Sequence, residues 1–199
     1  MAITTLNLRA LNRSDTASSG QVVTATSATA MDFQAAAGGL VLGIQQTVVT
    51  GTLGPLTNTS FANLSGMAVA ITPTKASSKI LLTGTINAYW EGVSGLQFQI
   101  EEDVDGGGYS PIPYLGDAAG SRTRASFFEY WGSGNHKNYV ISWNYLHTPT
   151  YTLTDVLTYQ IQNRLQSASD YMYLNRTFDD ADNNSYARGA STMQAWEID

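Results

Sequence analysis

The chain of 199 residues contains no cysteine, which excludes disulfides, thiolate nucleophiles and cysteine-based zinc sites. Charge is scarce as well: Asp, Glu, Lys and Arg make up 13% of the residues, about half the usual ~25%. The surface must therefore be wetted by Thr, Ser, Asn, Gln and Gly, a composition that suits β proteins and stable assemblies. Positive charge is the scarcer sign, with 10 Lys and Arg against 16 Asp and Glu and a net charge of -6. The basic residues are scattered, so nucleic acid is not expected as a partner, because phosphate binding needs a local excess of cations. No apolar run approaches the ~20 residues needed to span a bilayer, and no membrane partner is expected. The start, Met1 to Arg9, lacks the basic head and apolar core of a secretion signal, so synthesis in a cytoplasm is expected.

Histidine is nearly absent too. His136 and His147 are the only two. Both fall in expected turns, and neither has a carboxylate at motif spacing, so they read as surface residues and not as a catalytic or metal centre. No phosphate loop, dinucleotide fingerprint or nucleophile elbow is present. Sequence reasoning therefore assigns no catalytic, cofactor-binding or metal-binding residue, expects no cofactor, and reads the protein as a non-enzyme.

What is present is period-two alternation. Ile141, Trp143 and Tyr145 alternate with Ser142 and Asn144, and Leu157, Tyr159 and Ile161 alternate with Thr158, Gln160 and Gln162. One wet face and one buried face is the signature of a strand, and Pro149 places the connection between these two. In Lys79 to Trp90, the residues Ile80, Leu82, Ile86, Ala88 and Trp90 share one parity. Leu96, Phe98 and Ile100 repeat the pattern, with Gly92 to Gly95 expected as a hairpin connection. Gly106-Gly107-Gly108 closes the next turn, and Pro111 and Pro113 confine the following segment to an edge or loop. Phe127 to Trp131, Tyr171 to Asn175 and Ser191 to Ile198 read as further strands. The last mixes Met193, Trp196 and Ile198 at both parities, as a strand buried on both faces would. Leu40 to Thr50 is β-rich, Thr52-Leu53-Gly54-Pro55 reads as a turn, and Phe61 to Ile71 as a loop leading into a short strand. Many short strands with glycine-rich turns indicate an all-β antiparallel sandwich or jelly roll.

Residues 1–39 differ in composition, being rich in Ala, Ser and Thr and poor in large apolar side chains. Ile3 to Leu8 reads as extended, Asn12 to Gly20 as loop, and Thr29 to Ala37 as a short helix capped by Thr29 or Asp32. Gly38-Gly39 reads as a hinge. The expected division is an extended N-terminal arm over 1–39 and one β domain over 40–199.

Two acidic tracts stand out, the first with oxygen ligands of the kind calcium favours. Glu101-Glu102-Asp103 with Asp105 does not reproduce an EF-hand loop and reads as a solvated hairpin tip. Asp179-Asp180, Asp182 and Asn183-Asn184 read as an exposed loop. Tyr89, Trp90, Tyr109, Tyr114, Tyr130 and Trp131 gather near strand ends, where a sugar-binding surface would place stacking platforms.

Three stretches, taken in order, resemble a known family. They are Thr59 to Met67 with Ile71-Thr72-Pro73-Thr74-Lys75-Ala76-Ser77-Ser78-Lys79-Ile80-Leu81; Tyr145-Leu146-His147-Thr148-Pro149 with Thr158-Tyr159-Gln160-Ile161-Gln162; and Asn175-Arg176 with Ser191-Thr192-Met193-Gln194-Ala195-Trp196-Glu197-Ile198. Their order resembles bacteriophage structural proteins found as fibre tips or virion surface proteins, whose head domain is similar to the trimeric C1q/TNF-type jelly roll. The likeness covers about Gly51 to Asp199 and departs at Trp196, where a small β-former or Leu is usual. It implies a homotrimer carried on the virion as a tail fibre or capsid decoration protein, with capsid or tail proteins as partners. The word Leu11-Asn12-Arg13-Ser14-Asp15-Thr16-Ala17 resembles the virion-attachment part. Recognition of a host surface glycan during attachment is the alternative function.

Overall fold

The computed structural model describes residues 21–25, 31–35, 40–130, 137–184 and 186–199. The chain divides into two units, Met1–Gly39 and Leu40–Asp199. In the first, β1 (Gln21–Ala25) and β2 (Met31–Ala35) pair antiparallel, Gln21 opposite Ala35 and Ala25 opposite Met31. The helix expected over Thr29 to Ala37 is thus corrected to a strand. An isolated helix of that length is marginal in water, and Met31, Phe33 and Ala35 alternate with Asp32 and Gln34 as a ladder requires. The segments read over Ile3 to Leu8 and Asn12 to Gly20, the Leu11 to Ala17 word and the Gly38-Gly39 hinge lie outside the described residues.

The second unit is an antiparallel β-sandwich, without helix among its described residues. One sheet contains β3 (Val41–Val49), β4 (Leu53–Leu56), β6 (Lys79–Glu91), β10 (Lys137–His147), β12 (Tyr171–Leu174) and β13 (Ser191–Ile198). The other contains β5 (Ala62–Ile71), β7 (Gly95–Val104), β8 (Ser110–Pro111), β9 (Phe127–Tyr130) and β11 (Leu157–Leu165).

The first sheet is organised on β6. Along one edge β10 runs in unbroken register from Lys137 opposite Trp90 to His147 opposite Ile80. The other edge is shared, with β13 pairing Lys79 to Thr85 and β12 pairing Ala88 to Glu91. β3 and β4 continue outward on β13 and β12. In the second sheet the order is β5, β11, β7, with β9 and β8 side by side on the far edge of β7.

The inward parity of each sheet forms the core. Ile80, Leu82, Ile86 and Trp90 of β6 meet Leu96, Phe98 and Ile100 of β7 and Leu157, Tyr159 and Ile161 of β11, all fully buried. Each such side chain contributes about 1.5–3 kcal/mol by leaving water. Gly84 interrupts the apolar row of β6 because the indole of Trp143, its register partner on β10, occupies the space. A Cβ there would stand 2.5 Å from Trp143 Cζ2 and 2.8 Å from the Thr192 carbonyl oxygen.

Four local expectations are corrected. The connection over Gly92 to Gly95 is no hairpin, because β6 and β7 belong to opposite sheets. Buried Asp170 secures the crossing by accepting hydrogen bonds from the Val93 amide at 3.2 Å and from the Ser94 hydroxyl. Phe61 to Ile71 contributes one long strand, β5; Gly66 takes φ +83° within it, and the ladder to β11 shifts between Gln160 and Gln162. Glycine tolerates that left-handed bulge where other residues are strained. The expected turn at Thr52 to Pro55 falls largely in β4, whose partner β12 supplies the ladder that turn residues alone do not foretell. On β13, Ser191, Met193, Ala195 and Glu197 are buried whereas Thr192, Gln194, Trp196 and Ile198 are half-buried, so the strand is alternating and not equally buried on both faces.

β12 and β13 run along the same edge of β6 as one strand interrupted by residues 176–190. The gap is stitched by polar groups. The Asn175 amide donates to the Asn87 carbonyl at 2.8 Å, and the Asn87 amide donates to Ser191 Oγ at 3.0 Å. Ser191 Oγ in turn donates to Asn175 Oδ1 at 2.7 Å. Asn175 Nδ2 reaches the carbonyls of Val49 at 2.7 Å and Gly51 at 2.9 Å, tying down the matching break between β3 and β4.

Candidate functional site

The outward face of the first sheet follows from its registers. Ile44 of β3, Trp196 of β13, Leu81 of β6 and Leu146 of β10 are successive cross-strand neighbours. They form an apolar row across four strands. Ile44 and Leu146 are nearly half exposed, and Trp196 and Leu81 are half-buried. The next row is Gln46, Gln194, Thr83 and Asn144, and the one after it Val48, Thr192, Thr85 and Ser142. Val140, 68% exposed, stands opposite Asn87 beyond them.

This face is pre-arranged. Gln194 Oε1 accepts from Thr83 Oγ1 at 3.0 Å and from Trp196 Nε1 at 3.2 Å, which sets the indole in place. Thr85 and Ser142 hydroxyls lie 3.3 Å apart. Between Leu81 and Asn87 no outward position in these rows carries a charge. Desolvating such a surface carries no cost for burying a charge, and four of its polar side chains, Thr83, Gln194, Thr85 and Ser142, already partner one another. Depletion of charge around an aromatic centre is the composition of interface cores.

His147 corrects its expectation. It ends β10, is 4% exposed and lies between the sheets. Its Nε2 is 3.2 Å from Glu102 Oε1, and the Tyr159 hydroxyl donates to the same oxygen at 2.9 Å. The imidazole meets the Tyr159 ring edge-on at 5.8 Å. Tyr145 lies on its other side at 6.1 Å and stacks on Tyr114 at 4.7 Å. Burial, then the charge and hydrogen bond of Glu102, push the Tyr159 phenol above its ordinary range. The phenol is therefore a donor and not a base, and the cluster ties β10 to β7 and β11 across the sandwich. His136 lies outside the described residues.

Glu101, Glu102 and Asp103 are not a hairpin tip; they lie within β7. Strand alternation sends Glu102 inward to His147 and the other two outward, so the three carboxylates do not converge on one ion. Buried Glu101 accepts from Gln99 Nε2 at 3.3 Å and Gln160 Nε2 at 3.0 Å. In the second acidic tract Arg188 grips Asp180 with two hydrogen bonds of 2.9 and 2.7 Å. That guanidinium holds the Asp180 carboxyl below its usual range. Arg176 lies over the Tyr173 ring at 4.5 Å and donates to the Gly54 carbonyl at 2.9 Å. The tract is an exposed loop closed by arginines.

No protein-family model matches the chain, and no curated protein matches it.

The described residues among the six aromatics expected as a sugar platform do not form one exposed surface. Trp90 is fully buried, Tyr89 packs edge-on against Tyr173 at 6.0 Å, and Tyr114 is stacked on Tyr145. Tyr109 and Tyr130 are exposed, and Trp131 lies outside the described residues. The residues that sequence reasoning passed over are Ile44, Leu81 and Leu146. Their signal was parity, since Leu81 falls on the wet side of the β6 alternation and Leu146 on that of β10.

Proposed function

We propose that this chain is a non-enzymatic structural protein of a bacteriophage particle. It is a homotrimer, a tail fibre or capsid decoration protein, in which residues 40–199 form a C1q/TNF-type jelly-roll head and residues 1–39 attach to capsid or tail. The jelly-roll reading is supported by strand order: β3, β13, β6, β10 in one sheet and β5, β11, β7, β9 in the other, with the chain passing repeatedly between them. The virion and the number three rest on the resemblance given above.

The observation that carries assembly is the charge-free stretch of the first sheet's outward face between Leu81 and Asn87, with Trp196 at the middle of its apolar row. A face of this kind gains by meeting a copy of itself or a neighbouring strand edge. Sedimentation of the full chain tests it: the wild type should sediment at threefold mass, and Leu146→Glu, at a half-exposed position, should yield a folded monomer. A wild type that stays monomeric at high concentration would sink the proposal. Antibody labelling of phage particles, read by electron microscopy, tests the virion assignment separately.

A further inference from the structure

The second sheet carries a different kind of surface. Arg122, Arg124 and Arg164 line one groove of about 680 Å³, within the range of small-ligand sites. They are three of the 10 basic residues in a chain of net charge -6, so positive charge is concentrated here against the trend of the molecule. Arg164 stands on the outward parity of β11, and its guanidinium is fixed. Nε donates to the Thr59 carbonyl at 2.7 Å, and Nη1 donates to Gln97 Oε1 at 2.7 Å and Thr123 Oγ1 at 2.6 Å. Nη2 has no such partner among the described residues.

The loop that forms the opposite wall is closed by the Gly116 amide on the Ala125 carbonyl at 3.1 Å and by Arg124 Nε on the Gly116 carbonyl at 2.7 Å. Both terminal nitrogens of Arg124 and the whole Arg122 side chain are without a hydrogen bond or ion pair among the described residues. Asp117 is the only carboxylate among the described residues of the lining. On the remaining wall stands Phe128 of β9, 67% exposed, while its neighbour Phe127 turns inward to stack on Phe98 at 5.1 Å.

We infer that this groove binds an acidic saccharide, the arginines taking its carboxylate or sulfate and Phe128 the apolar face of a sugar ring. Forked N–H donors match planar carboxylate and tetrahedral sulfate, and an exposed aromatic ring beside them suits a ring with one apolar face. Nucleic acid fits less well, because it requires cations strung along a backbone, whereas the neighbouring outward positions of β7 and β11 are Gln97, Gln99, Gln160 and Gln162. The inference gives chemical content to glycan recognition and does not depend on threefold assembly. A monomer that binds keeps the groove and removes the trimer; a trimer that does not bind does the reverse.

The test is calorimetric titration of the full chain with oligogalacturonate, a sulfated galactan oligosaccharide, a neutral maltooligosaccharide and a single-stranded oligonucleotide. Saturable binding to the uronate or the sulfated sugar is expected, weakening as salt rises, without binding to the neutral sugar; the arm that binds names the acidic group. Arg122→Ala and Phe128→Ala, both at exposed positions, should each weaken it by about tenfold or more with the melting temperature unchanged. No binding to either acidic sugar, equal binding to the neutral sugar or the oligonucleotide, or variants that bind like wild type would overturn the inference.

Discussion

The backbone amide of Thr74 donates to Glu197 Oε1 at 2.7 Å across 123 residues of sequence. Around the same carboxylate stand the Lys75 amide at 3.1 Å, Ser78 Oγ at 2.8 Å and Thr74 Oγ1, 3.0 Å from both oxygens. Glu197 is 1% exposed. The connection before β6 thereby clamps β13, and two stretches far apart in the sequence form one physical unit.

Acid stability follows from this clamp. Burial raises the Glu197 pKa, but the donors of Ser78, Thr74 and Lys75 outweigh it and hold the carboxyl below its ordinary 4.5. A depressed folded pKa contributes stability above the unfolded value and loses it as pH falls through the folded one. The urea midpoint should therefore drop on the acid side of pH 4.5. Glu197→Gln, which faces donors with an amide, should cost about 1–3 kcal/mol at pH 7 and flatten that drop. A variant as stable as wild type at pH 7 would contradict the clamp.

Gly84→Ala should destabilise by about 1–3 kcal/mol through overpacking against Trp143. Combining it with Trp143→Leu should cost less than the sum of the two changes, because the shorter side chain vacates the space. Denaturant unfolding of the two single variants and the double variant measures this directly, and additive costs would argue against the contact.

At Asn175 the backbone takes φ +60° while the side chain serves Val49, Gly51 and Ser191. Asn175→Ala loses those bonds and keeps a left-handed backbone, for about 3 kcal/mol in total. Asn175→Gly loses the bonds alone and should unfold later than the alanine variant. Thermal melts of the pair give the order.

Base titration should reveal late tyrosines. Burial, with Glu91 next in effect, raises Tyr89 to about 12, and Tyr159, Tyr139 and Tyr173 are raised as well, burial again leading. A raised folded pKa contributes stability that is complete below the unfolded value of 10.0 and disappears as pH rises through the folded one. Ultraviolet titration of the folded protein should show phenols ionising only with unfolding, and Tyr159→Phe should make the alkaline transition shallower.

Much of the strand inventory was legible because Ile141 to Tyr145 and Leu157 to Ile161 alternate without interruption and Ile80 to Trp90 does so but for Gly84. Sheet membership was not. Gly92 to Gly95 looks like a hairpin locally, and only Asp170, far along the chain, makes it a crossing. Gly66 reads as a strand breaker until the bulge opposite β11 accommodates it. His147 looks exposed beside Pro149, yet its partner Glu102 comes from the facing sheet. The arginine groove was equally hidden, since Arg164 meets Arg122 and Arg124 only through the β11 to β7 register and the loop folded back on Gln97.

The break between Leu174 and Ser191 has an architectural consequence. Because the chain departs from β6 and rejoins it along the same edge, with Asn175 and Ser191 fastening both ends, the length of the segment between them is uncoupled from sheet register. Foreign sequence spliced at Asp182 would be displayed from a fixed base, leaving the ladder on either side unchanged.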